Sequence, residues 1–298
     1  ASYDYDNRYM VQATVRRDGS SRFGPGRRFG IFPSASAAWN IKNEPFLQDN
    51  ATWLSTLKFR VSWGINGNDR IPAFQYAAQT ATGNNYVFGS GALGNEAIVN
   101  GVKTTVTPND DLGWEQSHQT DFGLDFGFFG NSLQLTADYF YKRTEGMLQV
   151  MPVPTYLGES KPWGNVGEMS NRGIELDMNY RYSIGDFNFS IGANATYIKT
   201  ILINAGNETG ILDGGSFHQM GTITRGQNGM VYPYFYGYKT DGVFQNWDEV
   251  NSYVGADGSL IQPSAQPGDF RYKDLDGDGK ITAEGDRTNL GKCVPAWT

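Results

Sequence analysis

The feature that most constrains the fold is a period-two alternation that runs from residue 171 to residue 200. The residues on one face are apolar: Ile174, Leu176, Met178, Tyr180, Tyr182 and, after a Gly185-Asp186 turn, Phe187, Phe189, Ile191, Ala193, Ala195 and Tyr197. The residues between them are mostly polar or small. Alternation of this period predicts a hairpin of two strands, each with one apolar and one hydrated face. Each strand has about 10 residues, close to the length that a tilted strand needs to cross a bilayer.

The same alternation predicts further strands at residues 2–17, 32–41, 53–66, 114–128 and 133–141. Very short turns, such as Gly130-Asn131, join some of these strands, whereas residues 144–170 are a long polar connection. Residues 67–110 are either a long loop or a strand pair with a long excursion. Outer-membrane barrels combine tight periplasmic turns with long extracellular loops in this way. Soluble sandwiches have shorter strands and more even loops. The sequence therefore favours an all-β fold, an antiparallel transmembrane β-barrel, over a soluble sandwich.

Two regions follow from the pattern. Residues 1–200 are predicted to be antiparallel barrel strands with their loops. From residue 201 to residue 298 the alternation fades into Gly, Asn and Asp, which predicts a long polar extracellular loop region that leads into a further strand. The first residues are already strand-like, so we expect the chain to begin inside a longer polypeptide.

The barrel interpretation assigns two sets of side chains to opposite surfaces of one sheet. The apolar set is Phe122, Leu124, Phe126, Leu135, Tyr139, Ile174, Leu176, Phe189 and Ile191. The polar set is Asp121, Asp125, Glu175, Asp177 and Asn194. A structure that mixed the two sets on one surface would contradict a membrane wall.

Composition narrows the classes of function. Aromatic residues make up 14% of the chain and there are 38 glycines, which suits long strands with aromatic girdles and polar loops. The formal net charge of -7 opposes a nucleic-acid partner. A single cysteine, Cys293, excludes a disulfide framework, and no Cys/His spacing fits zinc. No apolar run reaches the length of a transmembrane helix, so any membrane crossing is expected by strands.

The sequence offers little for an enzyme. His118 and His218 are the only histidines, and neither has a nucleophile motif nearby. No Gly-x-Ser-x-Gly elbow, phosphate loop or dinucleotide fingerprint occurs. We predict that the chain is not an enzyme. The alternative from another class is a soluble β-rich carbohydrate-binding module or a hydrolase, for which no carboxylate spacing among the 31 acidic residues gives specific support.

The sharpest chemical motif is the acidic segment at residues 274–282, which resembles a calcium loop in its spacing. Carboxylates stand at loop positions 1, 3 and 5, and Gly279 at position 6 permits the sharp turn. Position 12 is Gly285, so the last carboxylate has to come from Asp286, which we favour, or from Glu284. The candidate ligands of Ca²⁺ are Asp274, Asp276, Asp278, Lys280 and Asp286. The alternative is a loop that Asx-turns hold without a metal.

Aromatic residues provide the candidate substrate contacts, because aromatic faces pack well on the apolar faces of sugar rings. The candidates are Tyr234, Tyr236, Tyr238 and Trp247. The alternative is that these side chains pack the long loop onto itself. Charged residues of the hydrated strand face also have two interpretations. They either contact substrate or only keep the lumen wall hydrated. These residues are Asp121, Asp125, Glu175, Asp177 and Arg181.

Several segments resemble the SusC/RagA family of TonB-dependent outer-membrane transporters of Bacteroidetes. They include Arg17-Asp18-Gly19-Ser20-Ser21-Arg22-Phe23-Gly24, Phe32-Pro33-Ser34 with Trp39, residues 57–64 with Gly67-Asn68, Pro108-Asn109 with Leu112 and Trp114-Glu115, residues 165–169 and 171–175, residues 237–245, and Pro267-Gly268-Asp269 through Asp286. These segments occur in the family's order over nearly the whole chain. Each is weak alone, and together they are highly specific.

The resemblance implies the C-terminal barrel portion of a 22-stranded transporter that surrounds a plug and lies in the lipid of the cell outer membrane. It implies import of glycans or peptides, with a SusD-like surface lipoprotein capturing the substrate and TonB supplying energy through an N-terminal region. It further implies that the signal, the TonB-contacting segment and the plug precede residue 1. The segment Pro295-Ala296-Trp297 resembles the approach to another strand, so we expect the chain to be a fragment of that transporter.

Overall fold

The computed structural model describes residues 1–88, 97–151, 156, 158–218 and 221–298. These residues form two compact units. One, which we call the strand unit, is Ala1–Gly210 with Ala296–Thr298, and the other, the loop unit, is Ile211–Pro295. Within the described residues, no helix is long and apolar enough to cross a membrane.

The strand unit is built on an eight-stranded antiparallel sheet with long strands and three small two-stranded ribbons. In chain order its strands are β1 (Ser2–Tyr5), β2 (Tyr9–Gly19), β3 (Phe29–Asn40), β4 (Leu54–Asn68), β5 (Gln79–Thr82), β6 (Tyr86–Phe88), β7 (Ala97–Val99), β8 (Val102–Val106), β9 (Glu115–Phe128), β10 (Leu133–Glu145), β11 (Leu148–Val150), β12 (Trp163–Asn165), β13 (Glu168–Ile184) and β14 (Phe187–Asn204). The large sheet has the order β1-β2-β3-β4-β9-β10-β13-β14, and the ribbons are β5-β8, β6-β7 and β11-β12. The main sheet is therefore an uninterrupted up-and-down meander, as barrel walls are.

The register of the sheet separates its two faces. Residues paired across antiparallel strands point to the same side, so a paired row identifies one face. One row through the centre is Val61, Phe122, Tyr139, Ile174 and Tyr197. The next position along each strand gives Arg60, Gly123, Asp138, Glu175 and Thr196 on the other side. Both predicted sets of residues fall on opposite faces as expected, and we call these the apolar face and the polar face.

The ends of the strands are staggered along the sheet. Tyr9 is the first residue of β2, yet its row crosses β13 at Leu176, eight positions before the strand ends at Ile184. The full row is Tyr9, Trp39, Phe59, Leu124, Ala137, Leu176 and Ala195. Such a shift of register is what tilted strands in a barrel require.

The prediction of one strand over residues 2–17 was wrong. The structure breaks this segment into β1 and β2, joined by a turn at residues 6–8. Asp6 and Asn7 have φ of 54° and 49°, a left-handed conformation that short polar side chains tolerate better than most. Asp4 Oδ1 also accepts a hydrogen bond of 2.9 Å from the Asn7 N–H. The local turn chemistry therefore overrides the alternation.

The connections differ between the two ends of the strands. At one end the β9–β10 and β13–β14 turns are tight, with Gly130 and Gly185 at positive φ of 66° and 60°, whereas the β3–β4 connection is longer. At the other end lie the longest connections, β4–β9 and β10–β13, which carry the three ribbons, and a small core of Phe23, Ile71 and Leu112. The predicted loops at residues 67–110 and 144–170 thus contain short strands of their own, because their apolar residues pack locally.

A buried carboxylate fixes the connection between β3 and β4 to the first hairpin. This connection contains a 3₁₀ turn (Ile41–Asn43) and the short helix α1 (Pro45–Gln48). Glu44 lies between them with 6% of its surface exposed. It accepts hydrogen bonds from the Tyr9 hydroxyl at 2.5 Å and the Trp39 indole N–H at 2.9 Å. These two hydrogen bonds hold the pKa of Glu44 below its ordinary value.

The loop unit has its own small sheets and core. Its elements are β15 (Ile211–Asp213), β16 (Thr224–Gln227), β17 (Tyr234–Tyr238), β18 (Thr240–Val243), α2 (Trp247–Ser252), β19 (Phe270–Tyr272) and β20 (Arg287–Lys292). The sheets are β15-β16-β17-β20 and β18-β19. Phe244, Val250 and Ala265 are buried together, with Tyr253 packed against them. After this unit the chain returns to the strand unit, where Thr298 exchanges main-chain hydrogen bonds with Thr196 at 2.9 Å and 3.0 Å on β14.

Candidate transport surface and acidic loop

The centre of the polar face is an ion cluster around Arg60. The Arg60 guanidinium donates two hydrogen bonds to Asp125, from Nε at 2.7 Å and from Nη2 at 2.9 Å. Its Nη2 also lies 3.0 Å from Asp138 Oδ1 on β10. Arg60 and Asp138 face each other across Gly123, whose missing side chain leaves room for the guanidinium. The cluster links β4, β9 and β10 on the surface that would line a lumen.

Other polar residues of this face are engaged with their neighbours. Asp121 accepts hydrogen bonds from Ser62 Oγ at 2.9 Å and from Gln119 Nε2 at 2.8 Å. Asp177 accepts one from Asn179 Nδ2 at 2.6 Å. Glu175 and Arg181, also on this face, are exposed. The predicted charged residues therefore share one surface, with Asp121 and Asp125 tied into the wall and Glu175 and Arg181 open to water.

The acidic loop in the loop unit converges on three carboxylates. One oxygen each of Asp274, Asp276 and Asp286 lies within 4.8 Å of the other two. Asp286 is fully buried, and its two oxygens accept main-chain hydrogen bonds of 2.7 Å from Leu275 and Thr282. The arrangement presents several carboxylate oxygens to one small volume, which is the chemistry that hard divalent cations favour.

The remaining candidates in the loop are placed differently. Asp278 and Lys280 are not in the group of three, and Asp278 Oδ1 accepts a hydrogen bond of 2.8 Å from the Lys280 N–H. Gly279 has the positive φ of 79° that the sharp turn needs. A side chain at Gly285 would overlap Asp276 Oδ2, so the glycine at this position makes room for a carboxylate of the group. Of the two predicted sources of the last carboxylate, Asp286 is the one that joins Asp274 and Asp276 in the group.

Asx-turns also hold this loop. Asp274 accepts main-chain hydrogen bonds from Gly277 at 2.7 Å and Gly279 at 2.9 Å, and Asp276 accepts one from Asp278 at 3.2 Å. The two interpretations of the sequence, a metal loop and a loop closed by its own turns, therefore share one geometry. Binding of an ion decides between them.

The four aromatic candidates have different surroundings. Tyr234 is 3% exposed, and this burial raises its pKa above the ordinary value. The Arg225 and Arg287 guanidinium carbons lie 3.6 Å and 4.5 Å from the Tyr236 ring centroid. Trp247 is 57% exposed at the start of α2. The Arg287 guanidinium carbon also lies 5.9 Å from the Tyr238 ring centroid. Burial and cation–π contacts thus engage three of the four rings inside the unit, and Trp247 is open.

Tyr238 borders a cavity of about 610 Å³ within the loop unit. Its ring lies 5.2 Å from that of Tyr272, and Phe270, 57% exposed, also lines the cavity. Asp269 and Ser264 add polar atoms to the wall. This volume and this mixture of aromatic and polar groups suit a small organic ligand. Sequence reasoning missed Phe270 and Tyr272, because the segment around them carries no periodicity.

Comparison with known proteins identifies the architecture. The family model described as TonB dependent receptor-like, beta-barrel, matches residues 1–288. The chain is 34% identical over 302 residues to TonB-dependent receptor P3 of Formosa agariphila. This alignment covers 100% of this chain and 29% of that relative. It is 31% identical over 261 residues to TonB-dependent receptor SusC of Bacteroides thetaiotaomicron, covering 83% of this chain and 25% of SusC.

Among solved structures, the RagAB peptide importer in its closed-closed state is similar, with a TM-score of 0.75 and 25% identity over 99% of this chain and 30% of that chain. This chain therefore spans less than a third of the length of these relatives. They are receptors and an importer by name, and none is named as an enzyme. In this family the apolar face of the sheet meets lipid in the outer membrane and the polar face meets the lumen. The chain belongs to the TonB-dependent receptor-like β-barrel family, of the SusC/RagA type.

Proposed function

We propose that this chain forms part of the wall and the extracellular loops of an importer of glycans or peptides. The observation that carries the proposal is the two-faced meander, with the tight turns at one end of its strands and the longest loops at the other, in a chain of the SusC/RagA type. A SusD-like surface lipoprotein is the proposed partner on the loop side, and TonB is the proposed source of energy. The name of the RagAB peptide importer supports the peptide class, and the glycan class is proposed from the resemblance of the sequence to the SusC/RagA family.

The proposed point of contact with substrate in this chain is the cavity of the loop unit. Tyr238, Phe270 and Tyr272 offer aromatic faces for a sugar ring or an apolar peptide side chain, and Asp269 offers hydrogen-bond acceptors. Trp247 offers a second exposed ring.

Uptake by the natural polypeptide that carries this chain tests this function. We expect cells to accumulate a labelled oligosaccharide or oligopeptide only when both this protein and TonB are present. Phe270→Ala should weaken uptake at low substrate concentration, whereas Phe217→Ala, which removes a ring that is 55% exposed elsewhere in the unit, should not. Uptake that does not depend on this protein would contradict the transport function, and equal effects of the two variants would contradict the cavity.

We also propose that the acidic loop binds Ca²⁺ as a structural ion without a catalytic role. The buried Asp286 beside Asp274 and Asp276 supports this, since like charges at such distances repel and a divalent cation would offset the repulsion. The sequence favours weak binding, with a Kd of about 10⁻⁴–10⁻³ M as in extracellular modules.

Calorimetry with Ca²⁺ on the natural polypeptide tests this site. We expect a saturable heat that Asp276→Ala removes. The matched control is Asp248→Ala, which removes an exposed carboxylate from α2 in the same unit. No calcium heat from the native protein, or binding that survives Asp276→Ala, would show that the loop is held by its turns alone.

A further inference from the structure

Four strands of the main sheet end their apolar face in the same way. Along each of these strands, from its end at the tight turns to its end at the long loops, the apolar residues of this face are followed by a cation. The sequences on this face are Tyr9, Val11, Ala13, Val15 and Arg17 on β2; Leu133, Leu135, Ala137, Tyr139, Tyr141 and Arg143 on β10; Tyr182, Tyr180, Met178, Leu176, Ile174 and Arg172 on β13; and Phe189, Ile191, Ala193, Ala195, Tyr197 and Lys199 on β14. A cation on a face that meets lipid is costly unless it lies at the interface.

The spacing places these cations at the interface. Eight positions separate Tyr9 from Arg17, and ten separate Tyr182 from Arg172. A tilted strand of about 9–11 residues crosses the hydrocarbon layer. The first apolar residue of each run therefore lies near one surface of the membrane, and the cation at its end lies near the other, on the side of the long loops. The first residue is aromatic on β2, β13 and β14, and it is Leu133 on β10.

Two of the cations are neighbours in one row. Arg172 pairs with Lys199 across β13 and β14, and Tyr141 of β10 continues the row. Directly opposite residues in an antiparallel pair have Cβ atoms about 5 Å apart. The guanidinium and the ammonium can thus reach a single anionic group, and Tyr141, 39% exposed, borders them.

No acidic side chain in the described ranges neutralises the charges of Arg172 and Lys199. Among the described residues, neither Arg172 nor Lys199 has an ion-pair partner, and Arg172 is exposed. Arg143, further towards the loops, is instead neutralised by Glu145 at 3.1 Å and by Glu168. The pair nearest the hydrocarbon layer is therefore the one that keeps its charge free.

Arg17 repeats the arrangement at the other end of the sheet. Its guanidinium carbon lies 4.2 Å from the Phe29 ring centroid, and its neighbours Val15 and Ile31 on the same face are 74% and 62% exposed. The row of Lys199 crosses β2 at Ala13, so Arg17 lies four positions further along its strand. The stagger of the strand ends at the tight turns, which shift in one sense from β2 to β14, explains this difference.

We infer that Arg172 and Lys199 form a binding site for the phosphate of a lipid headgroup in the outer leaflet of the membrane, with Arg17 as a second, single contact. Arg presents a fork of N–H donors that matches phosphate oxygens, and Lys adds a compact charge. The aromatic rings beside them occupy the headgroup level, where amphipathic rings are favoured. The long aliphatic stems of both cations lie over the apolar band while their charged ends reach the headgroups.

Native mass spectrometry of the natural polypeptide with phosphorylated lipid A tests the site. Each cation near a charged membrane surface contributes about fivefold in affinity, so Arg172→Gln with Lys199→Gln should weaken binding about 25-fold. Lipid A without phosphate should bind the native protein as weakly as phosphorylated lipid A binds this double variant. Arg172→Lys, which keeps the charge, should lose about threefold or less.

The matched control removes one Arg and one Lys from the polar face of β13 and its other neighbour, β10. Arg181 lies on β13 and Lys142 on β10, and Arg181→Gln with Lys142→Gln should leave lipid binding unchanged. The heat-dependent shift of the folded barrel on gels verifies that each variant is folded. Equal binding by the native protein and the Arg172/Lys199 variant, equal loss in the control, or full displacement of lipid by inorganic phosphate would each overturn the assignment.

Discussion

Arg60 on β4 reaches Asp138 on β10 at 3.0 Å, although β9 lies between these two strands. The contact passes over Gly123, where an added Cβ would lie 2.7 Å from the Arg60 guanidinium carbon and would overlap Asp138 Oδ1. A glycine in the middle of a strand usually weakens it. Here its lack of a side chain lets one cation connect three strands on the lumen surface.

Gly123→Ala should therefore break this contact. We expect the free energy of unfolding to fall by about 1–3 kcal/mol, because the methyl group displaces both charged side chains. Gly192→Ala is the control, since its Cβ would meet the end of the Asn179 side chain at 3.3 Å and the Met178 carbonyl oxygen at 3.9 Å, an ordinary contact distance. Denaturant titration of the folded barrel in detergent measures both, and equal losses would contradict the role of Gly123.

The two carboxylates that bind Arg60 should contribute unequally. Asp125 accepts from both Nε and Nη2, whereas Asp138 accepts from Nη2 alone. A bidentate pair is stronger than a single contact, and solvent limits partly exposed pairs to about 1 kcal/mol or less. We expect Asp125→Asn to lower the free energy of unfolding more than Asp138→Asn does. The reverse order would contradict the geometry.

A charge on the lipid face should destabilise the barrel. Leu176 lies near the middle of β13 on the apolar face, and Arg at this depth costs about 2–4 kcal/mol. Asp177→Arg introduces the same side chain one position away on the polar face, where water surrounds it, and should cost much less. Unfolding in lipid vesicles measures the difference, and a negligible loss for Leu176→Arg would argue against its placement in the membrane.

Glu44 should make stability depend on pH. Its folded pKa lies below the unfolded value, which is near the ordinary 4.5. The stabilisation it provides is therefore fully present above that unfolded value and is lost as the pH falls through the folded pKa. We expect the unfolding midpoint of the native protein to drop in this acidic range, and that of Glu44→Gln to depend less on pH. Parallel pH curves would contradict the contribution of Glu44.

The sequence was sufficient to predict the long strands and their faces, because the sheet has a single apolar side and a shift of one residue would reverse every side chain. It was not sufficient to predict the break at Asp6 and Asn7, where backbone conformation competes with alternation. The convergence of Asp274, Asp276 and Asp286 was predictable from the spacing of the loop, because its Asx-turns are local, whereas Asp278 and Lys280 lie outside this group and binding of an ion stays a prediction. The cavity around Tyr238 and Phe270 was not predictable, since residues far apart in an aperiodic segment form it.

The stagger of the sheet has a consequence for how substitutions along it are compared. Tyr9 and Leu176 share one hydrogen-bonded row, yet one begins its strand beside a turn and the other lies well inside its strand. In a closed wall they experience different dielectric surroundings, the first near hydrated headgroups and the second in hydrocarbon. The polarity of the surroundings is therefore constant along a diagonal of the sheet. Arg17 on β2 and Lys199 on β14 lie in different rows, and yet both lie at the depth of the headgroups.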